Sequence, residues 1–246
     1  MNEKFMRTRS LMFSNYAVGW AGACFSMLVL ASGTFAFAAA PSKPGADTAL
    51  EPLPLTLPGP TMKGTPVDLP AGPRIEPLPK KPRPAFMVPK GVKNVAIGKV
   101  VTSSVKPFSG ELKQITDGLK EASDEDAVEF KKGTQWVQVD LGQAYSIYAI
   151  AIWNDHRYIQ IMHDVIMQVS DNPEFRTGVT TLFNNDADNS SGQGAGTDRE
   201  YFETNQGRLI DSRGLKARYV RSYVKGGSLG VLNCWQEIEV YALPEK

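Results

Sequence analysis

From Asn94 to Tyr241 the chain is written in short runs of β-branched and aromatic residues broken by Gly, Asn and Asp, with little helical periodicity. Trp136 to Leu141 alternates, placing Val137, Val139 and Leu141 on one face, and Gly142 marks the end of that run. Ile147 to Trp153 is a near-continuous apolar strand, the pattern of a central strand of a sandwich. Val165, Met167 and Val169 alternate with Ile166 and Gln168, and Arg218 to Val224 alternates again. The last strand, Gln236 to Tyr241, sets Ile238 and Val240 on one face and Glu237 and Glu239 on the other. Many short strands with polar turns predict an all-β antiparallel sandwich of jelly-roll type over residues 91–246. About 150 residues suffice for one well-buried core.

The chain before this block follows different rules. Lys4, Arg7 and Arg9 give a basic start, and no charged residue occurs from Leu11 to Pro41. Ala36-Phe37-Ala38 fits the small-x-small pattern of signal-peptidase cleavage, so residues 1–38 are expected to be a signal peptide of an exported chain, periplasmic, cell-surface or extracellular. The alternative is an uncleaved anchor, because the apolar run is long enough to span a bilayer. After removal of the signal only Cys234 remains, so no internal disulfide is expected. Residues 39–90 hold most of the chain's prolines and few aromatics. Proline removes donors and fixes φ, so this stretch reads as a disordered, semi-extended linker. Its basic cluster, Lys80-Lys81-Pro82-Arg83-Pro84, reads as a solvated linker end.

In the folded block, Asn94 to Lys99 followed by Thr102-Ser103-Ser104, the Ile115-Thr116-Asp117-Gly118 turn, Trp136 to Gly142, Ala217 to Arg221 and Glu237 to Tyr241 stand in one order. This series resembles the discoidin family, also called coagulation factor 5/8 type C domains. The resemblance implies a galactose-binding-like jelly roll that binds carbohydrates, lipid head groups or proteins through loops at one end. It also implies that a structural calcium ion can sit between Asp117 and Glu237. Leu119 and Ala122 depart from the family's oxygen-bearing residues there, and calcium needs six to eight oxygen ligands in general.

A formal net charge of +1 gives no reason to expect nucleic acid or a charged membrane surface as partner. The loop Trp153-Asn154-Asp155-His156-Arg157-Tyr158 has what sugar recognition needs: an apolar plate and planar donors and acceptors. Trp153, His156, Arg157 and Tyr158 are therefore candidate ligand residues. Trp235, after a loop expected at the same end, is a second candidate plate. Adjacent His163 and Asp164 point to opposite faces of a strand, so a catalytic pairing of the two is disfavoured. Asp186-Ala187-Asp188-Asn189-Ser190 lacks the Gly and Glu of a calcium loop and reads as a polar turn. The function expected is non-catalytic carbohydrate or glycoconjugate binding. The alternatives are a protein-binding surface module on the same fold and, more remotely, a hydrolase using His156 or His163. No phosphate loop, nucleophile elbow or zinc spacing supports the last.

Overall fold

The computed structural model describes residues 49–61 and 69–245. The expected signal peptide and its anchor alternative lie outside these residues. Among the described residues there are thirteen strands: β1 (Leu50–Pro52), β2 (Met87–Pro89), β3 (Lys93–Asn94), β4 (Val100–Ser103), β5 (Val128–Phe130), β6 (Gln135–Trp153), β7 (Gln160–Met162), β8 (Ile166–Ser170), β9 (Thr180–Asn184), β10 (Tyr201–Glu203), β11 (Arg208–Val224), β12 (Asn233–Trp235) and β13 (Glu237–Pro244). A 3₁₀ turn, Leu112–Thr116, lies between β4 and β5. Every named strand pair is antiparallel, as the alternating patterns require.

The architecture hangs on two long strands. β6 runs 19 residues, and its first part pairs with β4 and the end of β11, while its second part pairs with β13 and the start of β11. Gly142, expected to end the run, instead carries the strand around a corner. Its φ is +87°, a value glycine adopts without strain, and its N–H donates to Asp140 Oδ1 at 2.8 Å. β11 bends opposite, with register shifts between Asp211 and Leu215 and between Ala217 and Tyr219. Strands that turn a corner at bulges let one ladder serve both layers of a sandwich.

The core between the layers takes the residues that alternation assigned to it. Val137, Val139, Leu141, Ile150, Ile152, Val165, Met167, Val220, Ile238 and Val240 are all buried in one cluster. Asp140 and Arg218 form a structural pair, with bidentate bonds of 2.7 and 2.8 Å that hold the Asp140 carboxyl below its ordinary pKa. Arg221 instead donates to Gln138 Oε1 and lies between the rings of Trp136 and Phe175.

The proline-rich stretch departs from the expectation of a free tether. Where it is described, it lies across the outer face of the sheet. β1 and β2 pair with each other, and Leu53 and Val88 are buried. They form a second cluster with Val92, Ala149, Ala151, Trp153 and Tyr241, and Leu55 and Phe86 pack against it. The physical reason is visible in β6. Ala149, Ala151 and Trp153 alternate with Ile150 and Ile152, so the Ile147–Trp153 run is apolar because both of its faces are covered. The segment, poor in its own backbone bonds, is tied by side chains. Arg83 donates to the carbonyls of Gln206 and Gly207, Asn205 donates to the Pro58 carbonyl, and Arg208 grips Glu76 with bonds of 2.7 and 3.0 Å. Among the described residues, those of the proline-rich stretch therefore pack with the sandwich.

Candidate functional site

At one end of the sandwich an open cleft of about 380 Å³ lies between the chain that follows β6 and the turn before β12. Its walls come from three stretches of chain far apart in sequence: Glu129 of β5; Asp155, Tyr158, Gln160 and Met162 of the post-β6 loop and β7; and Leu229, Leu232 and Cys234 of the turn and β12. Tyr158 is 56% exposed, and Leu229, Val231 and Leu232 stand out nearby at 64%, 66% and 53%. Exposed apolar residues grouped at one rim mark a contact surface more than a scattered set does.

The polar side of the cleft is held rigid by Arg157. Its Nε donates to Asp155 Oδ1 and its Nη2 to Glu129 Oε1, both at 2.8 Å, and its Nη1 contacts Asp124 Oδ1. The side chain is only 14% exposed, and the three carboxylates push its pKa further up, with Asp155 first among them. A guanidinium shared among three acids has few donors left for a ligand. Its role is to fix the Glu129 and Asp155 carboxylates, which are 25% and 16% exposed, as acceptors at the wall.

The other expected residues take different places. Trp153 and Trp235 are corrected as stacking plates, because both are wholly buried. Trp153 shares the strand parity of Ala149 and Ala151 and faces the proline-rich segment. Its Nε1 donates to the Asn205 carbonyl at 3.0 Å, and Lys120 Nζ sits 4.8 Å from its ring. Trp235 meets Phe130 edge to face at 5.1 Å and donates to Ser222 Oγ. His156 is buried, with Nε2 2.8 Å from the Lys120 carbonyl, and burial lowers its pKa. It faces a smaller cleft shared with Thr61 and Glu203, away from Tyr158. Of the five, Tyr158 alone presents its side chain at the cleft, with Arg157 supporting the wall behind it.

Cys234 also lines the cleft, but it is buried, and burial raises its pKa well above the thiol range, so it is a poor nucleophile. His163 pairs with Glu200 at 2.6 Å rather than with Asp164. Asp164, Asp186 and Asp188 do come together. Four of their six oxygens accept from the loop itself, from the Ser190 and Ser191 N–H groups and the Ser190 hydroxyl. That is the work of a polar turn.

The Asp117–Gly118 turn reaches Glu237 through its backbone. The Gly118 N–H donates to Glu237 Oε2 at 3.3 Å, while Asp117 Oδ1 accepts from Leu119. Glu237 is wholly buried, and its Oε1 has no partner among the described residues. Burial first, then the nearby Glu239 charge, pushes its pKa up to about 9. An unpartnered buried oxygen beside other acids suits a cation, but Leu119 adds no side-chain oxygen. The fit to calcium is therefore partial.

Comparison with solved structures returns similar folds. A fucose-binding module from Streptococcus pneumoniae is 18% identical over 61% of this chain and 98% of its own, with a TM-score of 0.45. Chitosan-binding module 1 of a Paenibacillus chitosanase/glucanase is 19% identical over 61% and 99%, with a TM-score of 0.40. The family 89 glycoside hydrolase of Clostridium perfringens is 17% identical over 61% of this chain but only 15% of the enzyme, with a TM-score of 0.46. Likenesses at this level carry no functional argument. No family model matches the chain, and no curated protein does.

Proposed function

We propose that the chain is an exported, non-catalytic carbohydrate-binding module that holds its ligand in the Tyr158 cleft. The observation that carries this reading is the Tyr158 ring standing exposed beside two carboxylates whose positions Arg157 fixes. A sugar ring presents an apolar face to an aromatic plate and hydroxyl donors at its edge, and Glu129 and Asp155 are acceptors placed for those donors. The open shape of the cleft suits one or two residues of a chain entering from solvent. A partly formed calcium site at Asp117 and Glu237 belongs to the same reading as a structural element.

The test is a glycan array probed with the full chain, followed by titration of the best ligand against Tyr158→Ala and Glu129→Gln. Loss of binding in both variants supports the reading. A ligand held equally well by both variants places the sugar site elsewhere on the module. A specific observation favours a second reading. Leu229, Val231 and Leu232 form an exposed apolar rim, which suits a protein surface. An array without hits, together with a protein partner lost on Leu229→Ser, decides for it.

A further inference from the structure

The basic cluster Lys80-Lys81-Pro82-Arg83-Pro84 is not a free linker end. It forms one wall of a second cleft, about 590 Å³, whose other wall is β10, the turn after it and the start of β11. Four cations line this space: Lys80, Lys81, Arg83 and Arg208. The acids available to balance them are few. Glu76 is already paired in two bonds with Arg208. Glu203, on β10, is wholly buried and is pushed up to about 8 by that burial, so it is mostly protonated at neutral pH.

The two arginines also have unused donors. Arg83 spends Nη2 on the Gln206 and Gly207 carbonyls, and its Nη1 is buried without a partner among the described residues. Arg208 spends Nη1 and Nη2 on Glu76, and its Nε is likewise buried and unpartnered. Burial first and the Arg208 charge second lower the pKa of Arg83, and the Glu203 charge opposes them only in part. Lys80 and Lys81 stand exposed at the mouth and make no hydrogen bond among the described residues.

We propose that the cleft between the proline-rich segment and β10–β11 is an anion-binding site, taking a carboxylate or phosphate group carried by a small or chain-like ligand. Arg83 and Arg208 supply the inner donors, and Lys80 and Lys81 draw the charge in from solvent. The prolines and the Phe202 region give the ligand body an apolar wall. The site is separate from the Tyr158 cleft and does not depend on the sugar reading of that cleft. It exists only because the proline-rich segment is docked, so this segment contributes directly to the site.

The experiment is calorimetric titration of the full chain at low ionic strength with inorganic phosphate and with trigalacturonate. The methyl-esterified trimer serves as the uncharged control. The expected result is binding of at least one anion, no binding of the ester, and weakening in half-molar salt. Tighter trigalacturonate identifies a carboxylate ligand, and phosphate alone identifies a phosphate-bearing one. K80Q/K81Q should weaken affinity about 3- to 10-fold, the scale of two exposed charges. R83Q should weaken it by about 10-fold or more, because a buried donor to a charged group is lost. If R83Q does not fold, K80Q/K81Q decides, since those side chains hold nothing in place. No binding of either anion, or full affinity retained in K80Q/K81Q, overturns the proposal.

Discussion

The outer face of the sheet and the Tyr158 end meet the same problem in opposite ways. Both present apolar surface that the jelly-roll core does not cover. On the sheet face the chain supplies its own cover: Leu53, Leu55, Phe86 and Val88 lie over Ala149, Ala151, Trp153 and Tyr241. At the loop end Tyr158, Leu229, Val231 and Leu232 are left in solvent. The first region is built to be closed. It uses small alanines so that the covering segment can approach, and it encloses a salt bridge from Lys120 to Glu239, which also accepts from the Tyr241 hydroxyl at 2.7 Å. The second is open, with its charges fixed from behind. The proposed Tyr158 site rests on this contrast between a covered apolar face and a bare one.

The sharpest way to break this comparison is to remove the cover. A chain starting at Gly91 should be far less stable than one starting at Ala49. Full burial of Leu53 and Val88 alone is worth about 3–6 kcal/mol, an upper bound because the unfolded chain is not fully extended. Urea denaturation of the two chains gives the difference, and binding of a hydrophobic dye to the shorter one reports the uncovered face. Equal midpoints would mean that the segment rests on the sheet without stabilising it.

The closed region also carries a pH signature. Glu237, raised from an ordinary 4.5 to about 9, and Glu203, raised to about 8, stay protonated in the fold while the unfolded chain ionises. The folded state therefore holds more protons, and stability should fall as pH rises from about 4.5 to about 9, by an amount on the order of several kcal/mol. Below about 4.5 both states are protonated and the effect vanishes. Thermal melts across this range should show the slope, and Glu237→Gln should flatten part of it. Millimolar calcium that restores the melting temperature at pH 9 in the parent but not in Glu237→Gln would show that Glu237 holds a cation. No calcium effect at that pH would make the residue a buried acid only.

Much of this was legible in the sequence, and what was missed has a common cause. Alternation found the inner face because each strand reports its own parity: Val137, Val139, Ile238 and Val240 fell where expected. Alternation cannot report what covers the other face. Glu237 and Glu239 were assigned only to the face opposite Ile238 and Val240, and that face too is buried. The Ile147–Trp153 run held a clue, since a strand apolar on both faces requires two covers, and the second was hidden in a stretch whose leucines are spaced among prolines. Trp153 and Trp235 were misplaced because a tryptophan beside a loop reads the same whether it points out or in. Tyr158 and Arg157 were candidates through the loop's mixture of residue types, and the fold sets Tyr158 at the cleft with Arg157 as a brace behind it. Glu129, Met162 and Leu229 carry no local signal and meet only through the pairing of β5 with β12 and the path of β7.

At the open end the expected effect on stability is smaller. Arg157→Ala removes the bonds to Asp155 and Glu129 and leaves two partly buried carboxylates facing each other. Hydrogen bonds to charged groups are worth about 1.5–3 kcal/mol each, but Asp124 is well exposed and adds little, so a loss of about 2–3 kcal/mol is expected. Denaturation should show it directly, and ligand affinity should fall with it because the acceptors lose their position. An unchanged melting temperature with affinity lost would make Arg157 a ligand contact rather than a brace.

Tyr158→Ala should cost least in stability and most in binding. The side chain is more than half exposed and makes no side-chain hydrogen bond among the described residues, so its loss should change stability by about 0.5 kcal/mol or less. If it is the plate for a sugar ring, its removal takes away the apolar half of the site while Glu129 and Asp155 stay in place. A stacking contact that is well desolvated when bound costs on the order of 1–3 kcal/mol when deleted, about 5- to 150-fold in affinity. Tyr158→Phe separates the ring from its hydroxyl. Retained affinity in that variant assigns the effect to the ring face, and a loss equal to that of alanine assigns it to the hydroxyl. Paired melting and titration of parent, Ala and Phe chains give both numbers from the same samples. A large stability loss in Tyr158→Ala would mean that this end is closed after all, and that the contrast with the covered face is one of degree.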